Sequence, residues 1–322
     1  MSLPATPHPT FGGQALDTSP DHFGPLRPSI DAVEDRDELY RRLAQDGYLF
    51  LPGFLDRDQV VAARLSSLEC LAELDLFQEG YPLVEGVLKP GVHKRSADEP
   101  TRDNPALQQL LYAGRMMELY EFILGGPIRH YDYTWFRAKT PTANAATEPH
   151  CDIVYMGRGS KRVHTSWTPL GDVPYEMGGL MILEKSHLQE ELKQSYGQTD
   201  VDVYCENEGE AIALIAQARG ENRELSSEEK QSIKWTTLGA FAADPITAQN
   251  QVGGRWLSAE YSMGDLIVFG MYLMHGSHDN QTDRIRISTD SRYQLAAEPM
   301  DERWVGKNPI MNSVRVAKGM IC

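Results

Sequence analysis

The sequence His150-Cys151-Asp152 places an imidazole and a carboxylate two positions apart. Because alternate residues of a β-strand share a face, a strand here would point both side chains the same way and Cys151 the opposite way. A neutral imidazole and a carboxylate can take two adjacent positions around a divalent metal ion. The pattern is short enough to arise by chance, so taken alone it fits equally a surface histidine beside an aspartate.

A second candidate ligand, His275, follows the turn and apolar run 263–269 and precedes Gly276. A histidine where a buried strand meets a glycine turn can project into the mouth of a barrel. Two histidines and one carboxylate form the facial triad of non-haem Fe(II) sites, which leaves three coordination positions open. His278 competes for the same role, although a loop histidine is the plainer interpretation for it.

The third motif is Arg286-Ile287-Ser288, eleven residues after His275. On a strand, Arg286 and Ser288 share one face and could grip a carboxylate, the guanidinium through two hydrogen bonds and the hydroxyl through one more. The alternative is an arginine in a surface ion pair, a role for which Arg284 and Arg292 are better suited.

The overall charge argues against some classes of partner. The 322 residues include 31 Lys and Arg against 46 Asp and Glu, a net charge of −15, and the pI is near 5.0. Such a surface repels nucleic acid and anionic membranes. Apolar residues make up 41% and charged residues 24% of the chain, values typical of a globular protein that can bury a core.

The sequence also indicates a compartment. The four cysteines are scattered without a CxxC pair, which argues against a zinc ribbon or a disulfide framework and fits a reducing compartment. The N-terminal residues lack the basic and apolar regions of a secretory signal, and no run approaches the roughly 18 apolar residues of a membrane span. We therefore expect a cytoplasmic protein.

The chain divides into a proline-rich arm and one large domain. Residues 1–28 contain six of the 19 prolines, which predicts an extended arm that wraps the domain without forming a core. Residues 29–322 are predicted to form a single domain. Within it, residues 188–250 are rich in Glu and Gln and interrupt the strand pattern, so we expect an insertion there.

Helical patterns come first along the domain and strand patterns follow. The predicted helices are one that Ser29 or Asp31 caps and Gly47 ends, one that Asp56 or Asp58 caps, 104–124 and, within the insertion, 208–218. The predicted strands are 48–51, between the first two helices, and 129–139, 153–156, 163–170, 179–183, 256–262, 266–274 and 286–293. This order favours a mainly β fold class, an antiparallel sandwich or barrel with flanking helices.

In this order, the motifs resemble those of the phytanoyl-CoA dioxygenase-like (PhyH) family of Fe(II)/2-oxoglutarate-dependent oxygenases. The resemblance covers most of the chain and rests on 46–55, 150–152, 167–172, 178–187, 264–265, 275–277 and 286. It implies a double-stranded β-helix core, also called a jelly roll or cupin-like fold, with iron at its open end. It also implies Fe(II) as cofactor and 2-oxoglutarate and O2 as co-substrates.

The resemblance assigns roles position by position. His150, Asp152 and His275 would ligate the iron, and Arg286 would bind the distal carboxylate of 2-oxoglutarate with help from Ser288. Three further positions match family contacts to the co-substrate: Trp167, for which ordinary core packing is the alternative, and Lys94 and Trp135, for which the match is looser.

The activity that the resemblance implies is hydroxylation of an unactivated C–H bond of a small-molecule substrate, with release of succinate and CO2. Related halogenases lack the metal-binding carboxylate, so Asp152 favours hydroxylation. One alternative is a cupin-like metal enzyme that does not use 2-oxoglutarate, against which Arg286 and Ser288 argue. Another is a non-catalytic jelly-roll binding module, against which the complete triad argues.

The sequence leaves the substrate open. Alternation along 129–139 places aromatic and basic side chains on one face: Arg129, Tyr131, Tyr133, Trp135, Arg137 and Lys139. This face could line a pocket for a substrate with a carboxylate or phosphate, or it could pack under the helices with its cations at the rim. Residues 188–250 stand where the family often builds a lid, so we expect this insertion to determine specificity.

Overall fold

The structure, a computed structural model, describes residues 8–92, 99–101, 103–141, 146–201, 208–221, 223, 225–232, 239–307 and 309. The helices in these ranges are α1 (Arg36–Asp46), α2 (Arg57–Ala72), α3 (Pro105–Tyr112), α4 (Gly114–Leu124), α5 (Ile153–Met156), α6 (Glu190–Gln194), α7 (Glu208–Gly220), α8 (Ser227–Ser232) and α9 (Pro245–Val252). The strands are β1 (Thr10–Phe11), β2 (Gln14–Ala15), β3 (Phe23–Pro25), β4 (Tyr48–Leu51), β5 (Ile128–His130), β6 (Trp135–Lys139), β7 (His164–Pro169), β8 (Leu180–Leu183), β9 (Trp256–Ser258), β10 (Leu266–Gly270), β11 (His275–Ser277) and β12 (Arg286–Leu295).

Two sheets carry the fold. In the described residues the larger sheet has the strand order β4-β10-β7-β12-β5, with β6 also paired to β12, and the smaller sheet has the order β11-β8-β9-β3. The strand pairs of the larger sheet are antiparallel, and β3 runs parallel to β9 in the smaller one. The result is an open sandwich with helices outside, which agrees with the predicted mainly β class with a jelly-roll core.

The larger sheet separates two apolar cores, because alternate residues along its strands face opposite sides. Leu49 and Val268 pack with the helices α1 to α4 on one side. Phe50 and Ile267 pack with residues of the smaller sheet on the other side. The face toward the smaller sheet, called the inner face below, also carries Arg286, as the strand registers require.

Local capping sets the helix boundaries. Asp35 accepts a hydrogen bond from the backbone N–H of Glu38 at 3.0 Å and begins α1, which therefore starts later than predicted. Gly47 ends α1 in the left-handed region, at φ 82°. The predicted helix 104–124 is two helices, since the backbone of Ala113 is extended at φ −142° and ψ 174°.

One predicted strand is wrong and others are shorter than predicted. Residues 153–156 form the helical turn α5. A run of four apolar residues fits the helical period and the strand period equally well, so the pattern could not distinguish them. The Ile153 N–H donates to the Met271 carbonyl at 3.0 Å and anchors the turn. Residues 129–139 are divided between β5 and β6. The predicted strands 256–262 and 266–274 end at Ser258 and Gly270.

The described part of the N-terminal arm wraps the domain and also contributes to it. β3 extends the smaller sheet, and Leu16 and Leu26 are buried. Contrary to expectation, the arm therefore contributes apolar side chains to the interior. A backbone hydrogen bond from Leu26 to Ser258, at 3.1 Å, holds this part of the arm in place. Among the described residues, no helix has the length and hydropathy needed to cross a bilayer.

Candidate active site

The structure brings together the three side chains predicted to bind a metal. His150, Asp152 and His275 each offer one ligand atom, and these atoms lie within 4.8 Å of one another. All three side chains are buried. An isolated antiparallel bridge joins the two histidines through backbone hydrogen bonds of 3.0 and 2.9 Å. His278, the competing candidate, is not part of this cluster.

The local backbone differs from the strand that the sequence predicted. His150 lies in the bridge, but Asp152 stands at the start of α5 with helical dihedral angles, φ −59° and ψ −25°. The two side chains still reach one site. Cys151 points away from it, and its Sγ lies 3.4 Å from the Tyr272 carbonyl.

Both imidazoles are held in the tautomer that a metal requires. Nδ1 of His150 lies 2.8 Å from the Glu148 carbonyl, and Nδ1 of His275 lies 3.0 Å from the Leu273 carbonyl. A carbonyl only accepts, so each Nδ1 carries a proton, and in the neutral form of each ring Nε2 is the atom with the free lone pair. Burial, followed by the proximity of His275, lowers the pKa of His150 to about 3. This ring is therefore neutral at physiological pH.

Two buried donors hold the Asp152 carboxylate. Arg292 donates through Nη2 to both oxygens, at 3.1 and 3.0 Å, and the Thr165 hydroxyl donates to Oδ2. Burial by itself would raise the pKa of Asp152, but Arg292, the two histidines and Thr165 bring it below its usual range. The carboxylate is therefore ionised and ready to bind a cation.

The prediction of a surface ion pair for Arg292 is wrong. Its side chain is 2% exposed and pairs with Asp152, because the strand register places Arg292 opposite Thr165 on the inner face. Arg284 does form the predicted surface pair, with Glu85 at 3.1 Å.

A second part of the inner face carries cations without carboxylate partners. Arg286 is buried, its Nη1 donates to Ser288 Oγ, and its Nε has no hydrogen-bond partner in the described part of the chain. Arg286 and Ser288 thus share one face, as predicted. Burial lowers the pKa of Arg286 to about 10, so it stays charged at neutral pH.

Lys139 stands directly opposite Arg286 on the neighbouring strand. Its Nζ donates to Thr147 Oγ1 at 2.6 Å and to Ser277 Oγ at 2.5 Å. Within the described ranges, the ion pairs of the protein include neither Lys139 nor Arg286. Alternation places Lys139 on the inner face, but its pairing with Arg286 depends on strands far apart in sequence.

The looser candidates have different surroundings. Trp167 is buried on the inner face, with the Arg286 guanidinium 6.0 Å from its ring centroid. Trp135 stacks instead on Arg292, whose guanidinium carbon lies 3.8 Å from the ring centroid. Lys94 lies outside the described residues. Contacts of all three with the co-substrate remain predictions.

Comparison with known proteins gives related sequences. 1-Deoxypentalenic acid 11-beta-hydroxylase of Streptomyces exfoliatus is 27% identical over 168 residues, which cover 48% of this chain and 56% of that protein. The enzyme of the same name from Streptomyces arenae is 26% identical over 173 residues, which cover 52% of this chain and 60% of that protein. The chain thus spans little more than half the length of these curated relatives.

Solved structures share the fold. The α-ketoglutarate-dependent epimerase SnoN from nogalamycin biosynthesis aligns with a TM-score of 0.53 at 19% identity, over 87% of this chain and 93% of that chain. Iron-bound EctD from S. alaskensis aligns with a TM-score of 0.55 at 16% identity, over 95% and 89% of the two chains. These alignments confirm the jelly-roll core.

The family profile of phytanoyl-CoA dioxygenase (PhyH) matches residues 43–288, which is most of the chain. The matched range includes the cluster of His150, Asp152 and His275 as well as Arg286. The chain therefore belongs to the phytanoyl-CoA dioxygenase family of Fe(II)- and 2-oxoglutarate-dependent oxygenases.

Proposed function

We propose that this protein is a dioxygenase that hydroxylates an unactivated C–H bond of a small-molecule substrate, using Fe(II), 2-oxoglutarate and O2. The observation that carries the proposal is the buried cluster of His150, Asp152 and His275, whose ligand atoms lie within 4.8 Å of one another. The same face carries Arg286 and Lys139, which have no carboxylate partner among the described residues and could therefore bind an anionic co-substrate.

The donor set fits iron. Two imidazoles and one carboxylate occupy three positions of an octahedral ion and leave three open. His150, Asp152 and His275 would hold the metal, and the backbone carbonyls at Nδ1 fix both rings before it arrives. When bound, iron and 2-oxoglutarate supply the oxidation: O2 is consumed, 2-oxoglutarate becomes succinate and CO2, and one oxygen atom enters the substrate.

The cations fit 2-oxoglutarate. Arg286 and Ser288 would grip its distal carboxylate, because a guanidinium binds a carboxylate through two parallel hydrogen bonds. Lys139 would add a second cationic contact from the opposite strand. A bound dianion also offsets the cost of keeping two buried cations without partners. Trp167 would form an apolar wall of this pocket.

The substrate that we propose has an anionic group. The curated relatives are named for hydroxylating an acid, and the cations of the inner face include Arg137, whose side chain is 34% exposed and pairs with Asp290 at 3.0 Å. Tyr155 packs edge-on against His150, with ring centroids 5.5 Å apart, and would offer an aromatic surface beside the metal. A carboxylic acid should therefore stimulate succinate release more than its methyl ester does.

An anaerobic titration tests the proposal. Purified protein is titrated with Fe(II) and then with 2-oxoglutarate, while the weak visible charge-transfer band of the chelate is followed. We expect the band in the wild type, its loss in Asp152→Ala, and a raised 2-oxoglutarate requirement in Arg286→Gln. Arg284→Gln is the matched control, since Arg284 pairs at the surface. Iron binding without the band would support a cupin-like enzyme that does not use 2-oxoglutarate, and absence of iron binding would support a binding module.

A further inference from the structure

The N-terminal arm contacts the segment that follows β11, residues 278–281. Asp279 Oδ2 accepts hydrogen bonds from the Thr10 hydroxyl at 3.0 Å and from the Gly13 N–H at 2.9 Å. The Asp279 N–H in turn donates to the Thr10 carbonyl at 2.8 Å. The arm is therefore anchored to this segment through both the backbone and the side chain of Asp279.

The same segment borders the proposed 2-oxoglutarate site, which Lys139 and Arg286 line. Asn280 Nδ2 donates to the Lys139 carbonyl at 2.9 Å, so residues 278–281 are tied to β6 beside the site. Just before the segment, the Ser277 hydroxyl accepts from Lys139 Nζ. Lys139 stands directly opposite Arg286. The arm, the segment and the two cations are therefore joined by direct contacts.

The His278 side chain lies between the arm and these cations. Its ring is fully buried, and neither of its nitrogens has a hydrogen-bond partner within the described ranges. Phe23 of the arm packs against the ring, with centroids 5.9 Å apart. Burial, followed by the proximity of Lys139 and Arg286, lowers the pKa of His278 to about 3. Displacement of the arm would open this ring, and the cations near it, to water.

A closed site binds an anion more tightly than an open one. Attraction between charges strengthens where water is excluded, and groups that are already held in place lose less freedom on binding. We propose that the arm closes the 2-oxoglutarate site and that Asp279 is the positioning residue that holds the arm there. This inference rests on the proposed function. The arm itself lies outside the family match, which covers residues 43–288.

Coupling of this kind acts in both directions. If the docked arm strengthens 2-oxoglutarate binding by some factor, bound 2-oxoglutarate strengthens docking of the arm by the same factor. The amide protons of Gly13 and Asp279 lie in the contact itself, so their exchange with solvent should slow when 2-oxoglutarate binds. An arm with a purely structural role would stabilise the fold without this response.

The test compares Thr10→Val, which keeps the shape of the side chain and removes its donor, with Thr10→Ser, which keeps the donor. Deletion of residues 1–13 removes every contact of Asp279 described above. Asp17→Asn is the control, because Asp17 accepts from the Ser19 N–H within the arm. Co(II) affinity is measured first, then 2-oxoglutarate affinity of the Co(II) protein by calorimetry. Hydrogen exchange is followed by mass spectrometry with and without 2-oxoglutarate.

We expect the deletion to weaken 2-oxoglutarate binding about tenfold, within the usual range of coupling between sites, and Thr10→Val to weaken it about threefold. Thr10→Ser and Asp17→Asn should bind it as the wild type does. Co(II) affinity should stay unchanged, because His150 and His275 are held by their own backbone bridge.

Unchanged 2-oxoglutarate binding in the deletion, equal losses of Co(II) and 2-oxoglutarate affinity, or exchange at the arm that ignores 2-oxoglutarate would overturn the inference. If the deletion does not fold, Thr10→Val and the exchange measurement decide. If the wild type binds Fe(II) without the charge-transfer band, the proposed function fails and the inference falls with it. A normal band together with an arm that does not respond overturns the inference alone.

Discussion

Replacing Lys139 by methionine should stabilise the protein in the absence of ligands and weaken its binding of 2-oxoglutarate. Methionine keeps the length of the lysine stem and removes the ammonium group. The reason is the position of Lys139, which stands opposite Arg286 on the inner face and lies outside the ion pairs of the described residues. A buried ammonium group without a carboxylate partner lowers the stability of the ligand-free protein, and in the proposed function it contributes to 2-oxoglutarate binding.

The magnitude follows from the contacts that change. The variant loses hydrogen bonds to Thr147 and Ser277, which are worth about 1.5–3 kcal/mol each because the donor is charged. Ser277 Oγ keeps the Thr147 N–H as a donor at 2.9 Å. Against this loss, burying an ion without a partner costs several kcal/mol, and a like charge stands directly opposite. Because the two effects are similar in size, we expect a small net gain of about 1 kcal/mol, or roughly 2 °C in Tm.

The gain should depend on pH. Burial, Arg286 and Arg137 push the pKa of Lys139 well below its ordinary value of 10.5, and Asp290 and Asp279 only partly oppose them. At pH values between the pKa of Lys139 in the folded protein and that in the unfolded chain, Lys139 is protonated in the unfolded chain but not in the folded protein. Wild-type stability rises with pH through this range. The advantage of Lys139→Met should accordingly shrink as the pH approaches 10.5.

The assay is thermal unfolding of the ligand-free protein at several pH values, together with anaerobic titration of 2-oxoglutarate. Loss of one hydrogen bond from a charged donor, about 1.5–3 kcal/mol, corresponds to binding weakened about 10- to 100-fold. Lys161→Met is the control, since Lys161 is exposed. A lower Tm for Lys139→Met without ligand would refute the reasoning, because it would show that the hydrogen bonds outweigh the cost of the buried charge.

Two further predictions concern the supports of the site. The Tyr196 hydroxyl accepts a hydrogen bond from the Cys151 N–H at 3.3 Å and donates one to the Gly239 carbonyl. Tyr196→Phe should therefore lower the free energy of unfolding in urea by about 1–3 kcal/mol. An unchanged urea midpoint would contradict this prediction. Gly47 has φ 82°, and a Cβ there would lie 2.5 Å from His187 Nδ1, so Gly47→Ala should lower the Tm by at least about 2 °C. An equal or higher Tm would show that the turn relaxes.

The clustering of the candidate metal ligands could be predicted because the evidence for it is local. His150 and Asp152 are two residues apart, and His275 and Arg286 stand at the beginnings of the strands β11 and β12, which follow each other in sequence. Their types and order were sufficient, even though the strand predicted for 153–156 is the helix α5. The three side chains still cluster because the turn at Asp152 directs its carboxylate toward the two histidines.

The support of the carboxylate could not be predicted, because it depends on strand register. Arg292 reaches Asp152 from 140 residues further along the chain, and it does so only because β12 pairs with β7 with Thr165 opposite Arg292. Alternation alone placed Trp135 on the correct face but could not decide which guanidinium it contacts. The pairing of β6 with β12 decides this, since it sets Trp135 opposite Asp290.

The charges of the inner face also bear on the substrate. This face carries four cationic side chains: Arg137, Lys139, Arg286 and Arg292. Two carboxylates pair with two of them, Asp290 with Arg137 and Asp152 with Arg292. A divalent iron and a dianionic co-substrate cancel each other, so their binding leaves this positive excess in place. In a chain whose net charge is −15, such a local excess would attract an anion to this face. A substrate with a carboxylate would supply that anion, since Arg137 is the most exposed cation of the ion pairs on this face.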